Sequence, residues 1–143
     1  MPVYNTSGAI YKTGQMTPTI NPVSNGYRLP REAEWEWAAR GGVFSQGYTY
    51  SGSDDLNSVA WNGGNSDGGP RTVGTKAPNE LEIHDMSGNV WEWCWEAKDD
   101  ARYYRGGDWE ANPDQCALFY HTFDYPFTRS KYIGFRLARF TGE

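Results

Sequence analysis

The sequence predicts one compact domain that combines a helix with short strands and long turns. Seventeen glycines and eight prolines among 143 residues indicate many chain reversals. Aromatic residues make up 16% of the chain, with seven tryptophans and ten tyrosines, which favours an aromatic core. Because this length suits one domain, residues 1–143 are interpreted as a single unit.

The clearest helix is predicted over about residues 31–40. Trp35, Ala38 and Ala39 share one face at helical spacing, and acidic residues occupy the first turn, as the helix dipole favours. Two glycines follow and end the helix. Trp35 and Trp37 are interpreted as buried side chains beside solvated glutamates.

Residues 90–96 alternate strictly and predict a strand, with three tryptophans on one face. Glu92 lies on the opposite face between apolar neighbours. A buried carboxylate is costly unless it is paired or binds a metal. Glu92 and Asn89 are therefore candidate ligands for a structural Ca2+. An ion pair from Glu92 to Arg28 or Arg136 is the alternative, of equal weight.

The other framework segments carry weaker signals. Residues 1–25 are interpreted as an extended segment with one short strand around Ala9-Ile10-Tyr11, and residues 26–104 as the framework. Residues 43–76 are dominated by Gly, Ser, Asn and Asp, which are turn formers. Their oxygens suit Ca2+, but a solvated loop is favoured because no EF-hand spacing is present.

Charge and cysteine content restrict the possible partners. The net charge of −5 argues against nucleic-acid binding. No apolar run reaches the roughly 18 residues of a membrane span, and the first residues do not resemble an export signal. Cys94 and Cys116 are interpreted as buried thiols, with a disulfide as the alternative.

Residues 110–132 follow neither helical nor strand periodicity. Aromatic side chains alternate there with small polar ones, a mixture typical of binding surfaces. An ordinary coil over the core is the alternative. Ile133, Phe135 and Leu137 then alternate at strand spacing and indicate framework again.

Three blocks resemble, in order, the formylglycine-generating enzyme (sulfatase-modifying factor) family. They are residues 26–42 (GYRLPREAEWEWAARGG), residues 86–94 (MSGNVWEWC), and residues 105–109 (RGGDW) with 133–136 (IGFR). The resemblance covers residues 26–139. One departure is Arg31, where the family usually has a capping Thr, which implies a weaker helix start.

The resemblance implies an α+β, C-type-lectin-like fold with short strands, one or two helices and much irregular structure. Some members carry calcium sites. The family's enzymes oxidise a substrate cysteine with two copper-binding cysteines five residues apart. The matching positions here hold Ala111 and Cys116, so the resemblance implies neither copper binding nor catalysis. A cysteine oxidase and a calcium-dependent sugar lectin remain alternatives.

A second resemblance concerns residues 105–139, which are similar to the variable region of proteins diversified by retroelements. Mutation of adenines in Asn codons cannot produce Trp, and residues 110–132 contain none, although Glu110, Gln115 and Lys131 depart from this rule. The positions implied to vary and to bind ligand are Asp108, Glu110, Ala111, Asn112, Asp114, Gln115, Tyr120, Thr122, Phe123, Asp124, Tyr125, Thr128, Ser130, Lys131 and Tyr132.

Together these patterns predict a non-enzymatic protein whose residues from about 108 to 132 bind a protein ligand on a target cell or host surface. Tyr120, Phe123, Tyr125 and Tyr132 are the expected anchors, because tyrosine is enriched at binding hot spots. The acidic side chains of the segment and Lys131 are expected to steer the partner. Surface display or export is expected from the resemblance alone, and the sequence predicts no oligomeric state.

Overall fold

The computed structural model describes residues 4–6, 9–10, 19–21 and 24–140. It confirms an α+β fold with small sheets, few helices and much irregular structure. Within these ranges no helix is both long and apolar enough to cross a membrane. The elements are β1 (Tyr4–Thr6), β2 (Ala9–Ile10), β3 (Thr19–Ile20), β4 (Tyr27–Arg28), α1 (Glu32–Ala39), a 3-10 turn (Gly42–Phe44), α2 (Leu56–Val59), β5 (Trp91–Lys98), β6 (Ala101–Arg105), α3 (Pro113–Cys116), β7 (His121–Asp124), β8 (Ile133–Gly134) and β9 (Ala138–Arg139).

The strands form three sheets. The largest has the order β7-β6-β5-β8, with β5 and β8 parallel and the other pairs antiparallel. β4 pairs with β9, which brings the two ends of the framework together. β1 pairs with both β2 and β3. The predicted strand at Ala9–Ile10 is confirmed, but the prediction of only one strand in residues 1–25 is wrong; Tyr11 lies outside the described residues.

Helix α1 matches its predicted span closely. The carboxylate of Glu34 accepts a hydrogen bond of 2.8 Å from the Arg31 backbone N–H, which satisfies one helix-start donor although Arg31 is a poor cap. Trp35 is 2% exposed, as predicted, and Gly41 takes the left-handed conformation just past the helix, at φ 88°. Trp37 is 54% exposed, so its predicted burial is wrong.

The core consists of two clusters of buried side chains. Trp35, Met86, Cys94 and Leu118 belong to the first. The second contains Cys116 with the small residues around it. Both cysteines are free thiols, which confirms the interpretation favoured from the sequence. Each therefore acts as a small apolar side chain in its own cluster.

Glu92 is 6% exposed, and an arginine neutralises it. Its two carboxylate oxygens accept hydrogen bonds of 2.5 and 2.7 Å from Arg136, and one also accepts from the Trp35 indole at 2.7 Å. The ion-pair alternative is therefore the arrangement observed. Because Arg136 must point inward, the side chains of Phe135 and Leu137 turn outward and are more than half exposed, contrary to their framework pattern.

We predict that Arg136→Leu lowers the free energy of unfolding by about 3–5 kcal/mol, because it leaves the Glu92 carboxylate buried without its counter-charge. Denaturant unfolding measures this loss. The matched control is Arg40→Leu, which breaks the more exposed pair with Glu36 and should cost less than about 1 kcal/mol. Equal costs for the two variants would show that the buried pair has no special weight.

Candidate functional site

The candidate surface begins at a buried arginine at the end of β6. Arg105 is 4% exposed, and its guanidinium contacts the carboxylates of Glu32 at 2.9 Å and Glu36 at 2.7 Å. The same group donates a hydrogen bond of 2.8 Å to the Leu118 carbonyl oxygen. Arg105 thus ties helix α1 to a residue in the middle of the predicted variable segment.

Three buried residues hold the segment onto the core. Trp109, Cys116 and Leu118 are at most 3% exposed. Gly107 makes this packing possible, since a Cβ atom there would lie 2.7 Å from the Cys116 sulfur and its φ is +79°. Residues 110–132 are therefore not an ordinary coil, because these fixed points determine where the intervening side chains lie.

Two predicted ligand residues cap a helix. The Asn112 side-chain oxygen accepts from the Gln115 backbone N–H at 3.1 Å, and the Gln115 side-chain oxygen accepts from the Asn112 backbone N–H at 3.0 Å. This reciprocal capping box fixes the start of α3. Asn112 remains exposed and Gln115 half-buried, so both shape the surface as well as border it.

The exposed apolar part of the surface is aromatic. Phe123 is 44% and Tyr125 52% exposed, in agreement with their predicted role as anchors. Phe127 is 64% exposed and stacks on Tyr125, with ring centroids 5.3 Å apart and an interplanar angle of 8°. The sequence interpretation missed Phe127 and the equally exposed Phe119. Phe is among the products of adenine mutagenesis in Asn codons, so the signal was present.

Two predicted anchors, Tyr120 and Tyr132, are half-buried against the framework. The ring centroid of Tyr120 lies 5.9 Å from that of Trp91. Tyr132 stacks on Trp109 at 5.0 Å, and its hydroxyl donates a hydrogen bond of 3.1 Å to Glu110. These tyrosines each present one edge to solvent while the tryptophans hold the rings in place.

The fifteen predicted positions fall into three classes of exposure. Six are exposed and seven half-buried, while two are buried, so those two support the surface instead of forming it. The exposed residues are Glu110, Asn112, Asp114, Phe123, Tyr125 and Lys131; the half-buried are Gln115, Tyr120, Thr122, Asp124, Thr128, Ser130 and Tyr132; the buried are Asp108 and Ala111.

Asp108 is buried by its position behind Trp109. Burial raises the pKa of Asp108, and hydrogen bonds from the Glu110 and Ala111 backbone N–H groups and the Trp91 indole offset this only in part. Its carboxylate oxygen lies 2.7 Å from the Glu110 nitrogen. Asp108 therefore shapes the turn that leads into the surface.

The residues present do not fit the copper site that the family resemblance implies. Ala111 and Cys116 pack in one core cluster, whereas Cys94 belongs to the other, so one thiol alone is at the matching place. Burial raises the pKa of Cys116 to about 12, which keeps that thiol protonated at neutral pH. A groove of about 570 Å³ passes Ala111 and is lined by Asp54 and Glu110 among others.

Nor do the predicted calcium ligands fit a cation. Both oxygens of Glu92 face the Arg136 guanidinium, which already supplies a positive charge. The Asn89 side chain accepts from the Arg71 backbone N–H and donates to the Arg71 carbonyl oxygen. In the described part of the chain, no three His, Cys, Asp or Glu side chains lie together as a metal site would require. Calcium binding by other groups stays a prediction.

Comparison with known proteins places this geometry in a family. The family model of the Sulfatase-modifying factor enzyme 1-like domain matches residues 6–141. The chain is 41% identical to the chaperone protein LppX of Paenibacillus barcinonensis, over 73% of this chain and 46% of that protein. It is 34% identical to the inactive C-alpha-formylglycine-generating enzyme 2 of Bos taurus, over 82% and 46% of the two chains.

Solved structures extend the likeness to variable proteins. Treponema denticola variable protein 1 matches with a TM-score of 0.80 at 35% identity, over 86% of this chain and 51% of that one. CarF matches with a TM-score of 0.84 at 34% identity, over 96% and 57%. The matches confirm both resemblances found in the sequence. This chain spans about half the length of these relatives.

We predict that Asp108→Asn removes a pH dependence of stability. The folded state raises the pKa of Asp108, so it binds a proton more tightly than the unfolded state does. Relative to the variant, the wild type should therefore gain stability as the pH falls from 7 towards 4. The slope is at most about 1.4 kcal/mol per pH unit, because one proton is involved. Urea unfolding of both proteins across this range measures the difference; a gap that is constant or widens in the other direction contradicts the assignment.

Proposed function

We propose that this chain, which belongs to the Sulfatase-modifying factor enzyme 1-like domain family, is a non-enzymatic domain that binds protein ligands through residues 108–132. The observation that carries the proposal is the exposed aromatic cluster of Phe123, Tyr125 and Phe127. Contiguous exposed aromatic area on a folded domain marks an interaction site, because it is costly to leave in water. Tyrosine and phenylalanine also supply contact area with little loss of side-chain entropy.

The arrangement of fixed and free side chains supports diversification of this surface. Trp109, Cys116 and Leu118 are buried, while most of the positions between and after them reach solvent. Substitutions at the exposed positions leave the core intact, so many side chains can be tried on one framework. The likeness to Treponema denticola variable protein 1 supports the same proposal. A retroelement that mutates adenines is the proposed source of the diversity.

The local charge suits a partner that meets the surface in water. Glu110, Asp114, Asp124 and Lys131 lie among the aromatic residues and are exposed or half-buried. Exposed charges contribute more to the rate of encounter and to specificity than to affinity. A protein on a target cell or host surface is the proposed ligand.

The gene provides the direct test of diversification. We expect a near-repeat of codons 105–138 beside a reverse transcriptase, with adenines in the template at the exposed positions. Sequencing of the locus across a population should show changes at codons such as 123 and 125, and unchanged codons for the buried Trp109, Cys116 and Leu118. Changes spread evenly over buried and exposed codons would overturn the proposal.

We predict that the double variant Phe123→Ser, Tyr125→Ser loses ligand binding while its free energy of unfolding changes by less than about 1 kcal/mol, because both side chains are largely exposed. The matched control is Val43→Ser, Phe44→Ser, which removes equally exposed apolar side chains from the framework. A partner identified by cross-linking should bind this control as it binds wild type. If both pairs bind equally, the aromatic cluster is not the contact surface.

We predict no oxidation of a cysteine-containing peptide when the chain is supplied with copper and oxygen. Cys116 is protonated and fully buried, and Ala111 beside it offers no second thiolate. Peptide mass spectrometry measures the product. Turnover above the level of a Cys116→Ala control would establish the oxidase alternative and exclude the non-enzymatic role.

A further inference from the structure

The outer edge of the four-stranded sheet lies within the proposed binding surface. β7 (His121–Asp124) is the terminal strand and pairs with β6 on one side only. In an edge strand alternate N–H and C=O groups point away from the sheet and are left for another strand. Among the described residues no segment pairs with that side. The edge is about 13 Å long, which corresponds to four residues at strand spacing.

The aromatic cluster lies along and beyond this edge. Phe123 belongs to β7, and Tyr125 and Phe127 follow it directly. Tyr103 of β6 holds the Phe123 ring edge-on, with centroids 6.2 Å apart. A strand added to β7 would therefore have apolar area available for its side chains as well as hydrogen-bonding groups for its backbone.

The charge beside the edge is negative. A groove of about 240 Å³ lies between the β5–β6 turn and the end of β7, and the carboxylates of Asp99, Asp100 and Asp124 line it together with Lys98. The Lys98 ammonium lies 3.9 Å from the centre of the Phe123 ring. None of the three carboxylates forms an ion pair within the described part of the chain. Three negative charges against one positive charge favour a basic partner.

We propose that β7 binds an extended, basic segment of the partner protein by strand addition. Backbone groups of the segment pair with the open side of β7, an apolar side chain packs on the aromatic cluster, and a Lys or Arg side chain reaches the carboxylates of Asp99 and Asp100. A second copy of this chain is a poor occupant, because pairing β7 with itself would bring like charges together. The inference rests on the proposed function, since it names the chemistry of the ligand at the same surface.

The test uses the whole chain and an acetylated, amidated peptide, Thr-Lys-Val-Lys-Val-Lys-Thr. The readout is amide hydrogen exchange by NMR. At a peptide concentration ten times its Kd, exchange at the outward-facing amides of β7 should slow about tenfold. The control peptide has the same sequence and charge but carries methyl groups on its three central amide nitrogens, which removes the donors on both of its edges. It should give no protection.

A charge variant tests the basic character of the segment. Asp100→Asn should weaken peptide binding about two- to fivefold, as expected for one exposed ion pair. The matched control, Glu82→Gln, removes an exposed carboxylate elsewhere and should leave the affinity unchanged. Equal effects of the two variants would overturn the charge assignment.

Three other outcomes overturn strand addition. The N-methylated peptide could bind as tightly as its parent, the protected amides could lie outside β7, or β7 could become protected in a dimer without peptide. The proposed function fails separately. If the Phe123→Ser, Tyr125→Ser variant loses its cross-linked partner while the peptide leaves β7 unprotected, the surface binds protein ligands by another mode and only this inference falls.

Discussion

The arrangement of the binding surface depends on how Arg105 is held. Its guanidinium is buried, so each of its N–H groups needs a partner. Glu32 and Glu36 on one face of α1 neutralise it, and the Leu118 carbonyl oxygen takes a further bond. A helix from the first third of the chain is thereby joined to the middle of residues 105–139. The tie lies beneath the surface, so side chains outside it are free to differ.

A second buried arginine does the same for the centre of the sheet. Arg136 follows β8 and binds Glu92 in β5, and Glu92 also accepts from the Trp35 indole. The two ends of the segment, near residues 105 and 136, are thus each fastened to α1 or to the strand packed on it. Buried ion pairs contribute little net stability but penalise other arrangements strongly when a partner is missing. This explains how a loop-rich domain can hold one conformation without long helices or strands.

The sequence predicted the elements that carry their own periodicity and failed where pairing decides. Helix α1 was located within a residue because Trp35, Ala38 and Ala39 repeat at helical spacing. The strands β1 and β3 have two or three residues each and exist because they pair with one another, so no local pattern marks them. The outward turn of Phe135 and Leu137 follows from the buried charge of Glu92, which outweighs their hydrophobicity. At the site, the exposed role of Phe123 and Tyr125 could be inferred from composition. The capping by Asn112 and Gln115 was also readable, as a pair three residues apart, but polar composition alone suggested ligand contacts.

An exposed sheet edge beside exposed aromatic rings is a hazard in any protein, because identical copies can pair along it. In this chain the hazard is limited by charge instead of by covering the edge. Asp99, Asp100 and Asp124 surround the end of β7, and in a symmetric pair each set would approach its own likeness. The same carboxylates attract a basic segment, so one set of charges rejects self-association and favours a partner. Negative charge at this place therefore acts as a selective device: the edge can remain open for binding because the copies that would otherwise occupy it repel one another.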